Sequence, residues 1–119
     1  MNFSFYLGGY GRDNSYCLIL NNGTLTISEY QGIPIPGHDK VLAVDDIIDW
    51  QLLLEFLKAC NWKRRYDSNI LDGTQWELTV SGKGISVRSY GSNAYPENFD
   101  MFLMLLNKVT GVVGVRISI

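Results

Sequence analysis

The side chains able to do chemistry in this 119-residue chain are few and scattered. His38 is its single histidine, in the loop PIPGHDK with Asp39 beside it, and Cys17 and Cys60 are its two thiols. A histidine acting as general base needs a nucleophile or water and an orienting acid converging on it, and a zinc site needs three or four ligands. One loop histidine supplies neither by spacing, so His38 reads as a solvated loop residue. The cysteines have no CxxC spacing and fall in a strand-like run and near the end of a helix-like one. They read as reduced, packed thiols, with a disulfide between them as the lesser alternative. The glycine cluster GGYGRDNS, Gly8 to Ser15, lacks the Lys-Ser/Thr of a phosphate loop. A strand follows it where a phosphate cradle needs a helix to open, so it reads as a turn. These residues point to no catalytic group, no cofactor and no metal, and the chain is expected not to be an enzyme.

Charge is more informative than nucleophiles. Asp45, Asp46 and Asp49, with Asp39 close by, form an acidic patch ahead of a helical run, and Lys58, Lys63, Arg64 and Arg65 form a basic one after it. A helix dipole favours that arrangement, which is one explanation; the other is that the acidic end receives a basic partner. Formal net charge is −2 and the pI is near 5.2, so the basic face that nucleic acid requires is missing. The opening residues MNFSFYLGGYGR carry no basic region followed by a long apolar run, and no apolar stretch approaches the ~18 residues of a membrane span. A cytoplasmic protein with no membrane partner is expected.

The elements that must position these residues show a recurring order. Tyr16 to Tyr30, YCLILNNGTLTISEY, aligns without a gap with Trp76 to Tyr90, WELTVSGKGISVRSY, at an offset of 60. Leu18 meets Leu78, Leu20 meets Val80, Leu25 meets Ile85 and Ile27 meets Val87. Each segment alternates with period two about a turn, Asn22-Gly23 in one and Ser81-Gly82-Lys83-Gly84 in the other, which predicts two hairpins. A proline loop follows each, with Pro36 and Pro96, and then an apolar helical run. A hairpin with one apolar face is marginal alone, so the two units are expected side by side in one sheet under two helices. The predicted fold is a single domain, residues 1–119, of α+β class: two layers, an antiparallel sheet of about six strands and two helices on one face.

The first helix is expected from Asp45-Asp46, either of which can cap it, with Ile47, Trp50, Leu53, Leu54 and Leu57 inward and Gln51, Glu55 and Lys58 outward. The second is expected to start at Pro96, with Glu97 and Asp100 in its first turn and Phe99, Phe102, Leu103, Leu106 and Val109 as its core stripe. Met101 and Met104 fall opposite that stripe and are expected at the surface, where flexible thioethers suit a binding face. NFSFYL and VVGVRISI read as two further strands, and either at a sheet edge leaves a homodimer or a strand-added partner open.

The loop GSNAYP, Gly91 to Pro96, contains turn formers and a tyrosine but no acid, base or nucleophile pair, so it reads as a hinge. With Trp62 and Tyr66 ahead of it, the run ILDGTQWELTV…SYGSNAYPENFDMFLMLL resembles small bacterial proteins of immunity type, including those of contact-dependent growth inhibition. The match covers about a third of the chain. The resemblance implies a protein that binds and neutralises a cognate toxin domain by occlusion, without catalysis, and it transfers no agreed functional residues. A nuclease-type toxin tends to be basic and suits the mild acidity. The candidate partner-binding residues are Asp39, Asp45, Asp46, Asp49, Tyr95, Glu97, Met101 and Met104. The alternative is a small-ligand or peptide-binding module that uses a groove beside Tyr90 and Tyr95.

Overall fold

The computed structural model describes residues 1–9, 12, 14–32, 38–68 and 73–119. Its strands are β1 (Asn2–Gly8), β2 (Ser15–Asn21), β3 (Thr24–Tyr30), β4 (Lys40–Ala43), β5 (Arg65–Asp67), β6 (Gln75–Gly82) and β7 (Ile85–Ser92). The helices are α1 (Ile48–Lys58), after β4, and α2 (Phe99–Thr110), after β7. The sheet has seven strands in the order β4-β3-β2-β1-β6-β7-β5. Every neighbouring pair is antiparallel except β5 and β7, which run parallel, so the sheet is mixed. The α+β class and the two covering helices match the expectation. The extra strands are the short edges β4 and β5, four and three residues long, too brief to show periodicity in sequence.

Both hairpins form around two-residue turns whose central residues have positive φ: Asn22 at 52° and Gly23 at 75°, Lys83 at 53° and Gly84 at 77°. This twist matches that of the flanking strands, which is why such turns close tight hairpins. The register adds a refinement. Leu20 pairs with Leu25, but its counterpart Val80 pairs with Val87, so the second hairpin is one residue pair longer than the gapless alignment implies.

The hairpins do not lie side by side. β1 stands between them, with Phe5 opposite both Leu18 and Leu78. β2 and β6 therefore run in the same direction while β3 and β7 extend to opposite sides. No rotation that keeps both helices on one face superimposes such units; they are mirror arrangements about β1. The order hairpin, loop, helix recurs, and the geometry does not. Pro36 lies outside the described residues.

Phe3, Phe5 and Leu7 alternate inward along β1 and are buried at the centre of the core. Trp50 of α1 meets Phe3 edge-on at 5.2 Å, and Phe102 of α2 meets Phe5 edge-on at 5.1 Å. Both helices thus cover the same face, each such pair adding about 1 kcal/mol beyond burial. α1 leaves the β4 side of the sheet and ends with the Lys58 stem near Gly84. α2 starts with Phe99 on Trp76 of β6, packs along α1, and returns to touch β4 through a 3₁₀ turn, Gly111–Val113.

Three local expectations are corrected. α1 begins at Ile48 with Ile47 in the capping position and no side-chain cap, so neither Asp45 nor Asp46 caps it; both sit in the preceding turn. α2 begins at Phe99, three residues after Pro96, whose carbonyl instead accepts the Phe99 N–H at 3.1 Å. VVGVRISI is not a strand. Asn107 holds Ile117 at both backbone groups, its Nδ2 donating to the carbonyl at 2.8 Å and its Oδ1 accepting from the N–H at 2.7 Å. The tail thus buries Val115 and Ile117 without joining the sheet.

Candidate functional site

Placement on the two layers sorts the chemical candidates. Cys17 faces the uncovered side of the sheet, paired with Ser28 and Tyr6, whereas Cys60 follows α1 and packs against the core. Both thiols are free, and the sheet lies between them. Burial pushes both up from the ordinary thiol value, and the Asp39 charge pushes Cys17 further. That is the reverse of what activates a nucleophile. Asp39 accepts the Ser28 hydroxyl at 2.8 Å, and His38 beside it is exposed. Among the described residues no group of three His, Cys, Asp or Glu side chains is placed to hold a metal ion.

The acidic candidates divide. Asp45, Asp46 and Asp49 gather where β4 turns into α1, with the Asp45 carboxylate against Gly23 of the first hairpin turn. Asp39 stands at the other end of β4, joined to the uncovered sheet face. Glu97 is exposed in the turn before α2, beside Trp62, and Met101 and Met104 are exposed on α2.

The GSNAYP loop is architectural. Gly91 pairs with Trp76 and leaves room for its indole, whose N–H donates to the Ala94 carbonyl at 2.9 Å. Asn93, at φ 53°, exchanges bonds with Thr74: its N–H donates to the Thr74 carbonyl at 2.8 Å and its Oδ1 accepts the Thr74 N–H at 2.9 Å. Tyr95 stacks on Trp76, 6.5 Å between centroids, and packs on Phe99 at 5.0 Å. It therefore belongs to the helix side, while Tyr90 pairs with Glu77 on the opposite face of the sheet. A groove shared by Tyr90 and Tyr95 does not exist.

What sequence reading missed on the outer surface of the helix layer is Ile48 and Leu52. Trp50, Leu53, Leu54 and Leu57 face the sheet, and Ile48 and Leu52 stand on the opposite side of α1, 76% and 48% exposed. On α2 the equivalent outward positions hold Met101 and Met104, 46% and 47% exposed. The signal was on the helical wheel, where Ile48 falls half a turn from Leu57. Charge on this layer leans negative: Asp45, Asp46, Asp49, Glu55, Glu97 and Asp100 stand against Lys58, Lys63, Lys108 and Arg116. An open groove of about 500 Å³ between α2 and the tail, with Asp100, Met104, Lys108, Val115 and Arg116 in its lining, continues the surface.

Comparison with protein-family models, with curated proteins and with solved structures finds no match for the chain. Among the described residues no helix is long and apolar enough to cross a membrane.

Proposed function

We propose that this chain is an immunity-type protein that binds and neutralises a cognate bacterial toxin domain by occlusion, in the cytoplasm, through the outer surface of its helix layer. The observation that carries the reading is that the outward faces of α1 and α2 hold four exposed apolar side chains, Ile48, Leu52, Met101 and Met104, on a layer where, among the described residues, six carboxylates outnumber four cations. An apolar centre with a charged rim is the anatomy of a protein interface. The excess negative charge suits a basic, nuclease-type partner and would speed its approach at low salt. Trp76 and Tyr95, from the two segments that resemble immunity-type proteins, form the aromatic floor under Phe99 at the start of α2, so these residues support the scaffold.

The test is coexpression with the toxin domain encoded beside this gene, read as growth rescue and as binding of the purified pair. Protection is expected, and its absence, or a neighbouring gene that encodes no toxin, removes the function. Ile48→Asp with Leu52→Asp, and separately Asp45→Ala, Asp46→Ala and Asp49→Ala together, are expected to weaken binding, the triple variant most at low salt. Asp39→Ala, at the far end of β4, is expected to leave it unchanged. Binding that survives both sets moves the interface elsewhere.

A further inference from the structure

The uncovered face of the sheet carries a second constellation, independent of the helix layer and of the immunity reading. Register aligns Tyr6 of β1, Glu77 of β6, Tyr90 of β7 and Arg65 of β5 in one row across four strands. Adjacent strands lie ~4.8 Å apart, so the two tyrosines rise on either side of Glu77 with their Cα atoms roughly 10 Å from each other. The next row on the same face holds Gln75, Ser92 and Asp67. Between the rows opens a cavity of about 340 Å³.

The electrostatics of this cavity are uneven. The Arg65 guanidinium is already engaged: it pairs with the Asp67 carboxylate and stands over the Tyr90 ring, 5.8 Å from its centroid. Glu77 makes no hydrogen bond or ion pair with any described residue. One carboxylate without a bonded partner among the described residues therefore stands between two aromatic rings. Ring faces carry negative potential, so the rings and the carboxylate attract the same kind of guest, a cation. Among the described residues Arg65, the one cation lining the cavity, is spent on Asp67, and Arg88, beside Thr79 in the row on the other side of Glu77, faces the same way but lies outside the lining. Gln75 and Ser92 supply polar groups that can orient what binds, and the volume is that of a small-molecule site.

We propose that this groove binds a small organic cation, an ammonium or guanidinium compound, with its charge over Glu77 between Tyr6 and Tyr90. The test is titration of the full chain by NMR at low salt, with choline and arginine amide as probes and acetate as the anion control. Saturable shifts at Tyr6 and Tyr90 in the millimolar range are expected for at least one cation and none for acetate. Glu77→Gln, an isosteric change at an exposed position, is expected to weaken binding about tenfold with the melting temperature unchanged. Tyr90→Leu is expected to do the same, and Tyr6→Phe, which keeps the ring, to leave it intact. The proposal is overturned if neither cation saturates, if acetate binds in their place, or if Glu77→Gln binds the cation as the wild-type chain does.

Discussion

Trp76 and Gly91 face each other across β6 and β7, and the indole occupies the space in which any side chain on Gly91 would stand. A methyl group there would meet both the indole nitrogen and the Ala94 carbonyl, the two partners of the hydrogen bond that anchors the loop. Neither is the end of a flexible side chain, so neither yields cheaply. Gly91→Ala is expected to destabilise the fold by about 1–3 kcal/mol, the cost of overpacking a filled core. Urea unfolding measures it, and a melt equal to wild type would show that the indole has room to move.

The two largest buried side chains differ in one atom's fate. Trp76 donates its indole N–H to Ala94, whereas the Trp50 N–H, equally buried, has no partner among the described residues. Replacing either by phenylalanine removes similar volume. At position 76 the change also leaves a carbonyl without its donor; at position 50 it removes an unsatisfied one. Trp76→Phe is therefore expected to cost about 1–2 kcal/mol more than Trp50→Phe. Equal losses in urea melts of the two variants would mean that the Trp50 N–H finds a partner in solution.

The regular parts of this fold were legible because their periods are local. Leu18, Leu20, Leu25 and Ile27 alternate about Asn22-Gly23, and Phe99, Phe102, Leu106 and Val109 recur at helical spacing. The place of β1 was not legible, since Phe3, Phe5 and Leu7 alternate in the same way in a central strand and in an edge strand. Only long-range pairing with β2 and β6 decides it. The tail deceives for a related reason: Val113, Val115 and Ile117 alternate like a strand, but Gly114 at φ 78° and the Asn107 clamp capture its backbone first. Of the candidate contacts, the acids and methionines could be read from charge and helical phase. The row Tyr6, Glu77, Tyr90 could not, because it depends on the registers of three strands.

The clamp on the tail makes a separate prediction. Asn107 bonds both backbone groups of Ile117, and the buried Thr110 hydroxyl donates to the Val115 carbonyl at 2.8 Å. Asn107→Ala removes both of its bonds at once and is expected to cost about 1–3 kcal/mol. The Ile117 amide should then exchange with solvent much faster than in wild type, while amides of β1 and β6 keep their protection relative to global stability. Unchanged protection at Ile117 would show that apolar burial alone holds the tail.

The thiols give the chain a pH dependence on the alkaline side. Burial favours the neutral form of Cys60, and burial together with the Asp39 charge favours the neutral form of Cys17. A group whose pKa is raised by folding contributes stability that is complete below its unfolded value, about 8.5 for cysteine, and is lost as pH climbs through the folded value. Stability is therefore expected to fall above about pH 8.5, less steeply in Cys17→Ser and in Cys60→Ser. The same shifts should make both thiols of the folded chain react with iodoacetamide more slowly than in urea. Asp39→Asn removes one of the two influences on Cys17 and none of those on Cys60, so it should speed alkylation at Cys17 alone. Equal acceleration at both sites would mean that the variant loosens the fold and that the carboxylate does not act on its neighbour through charge.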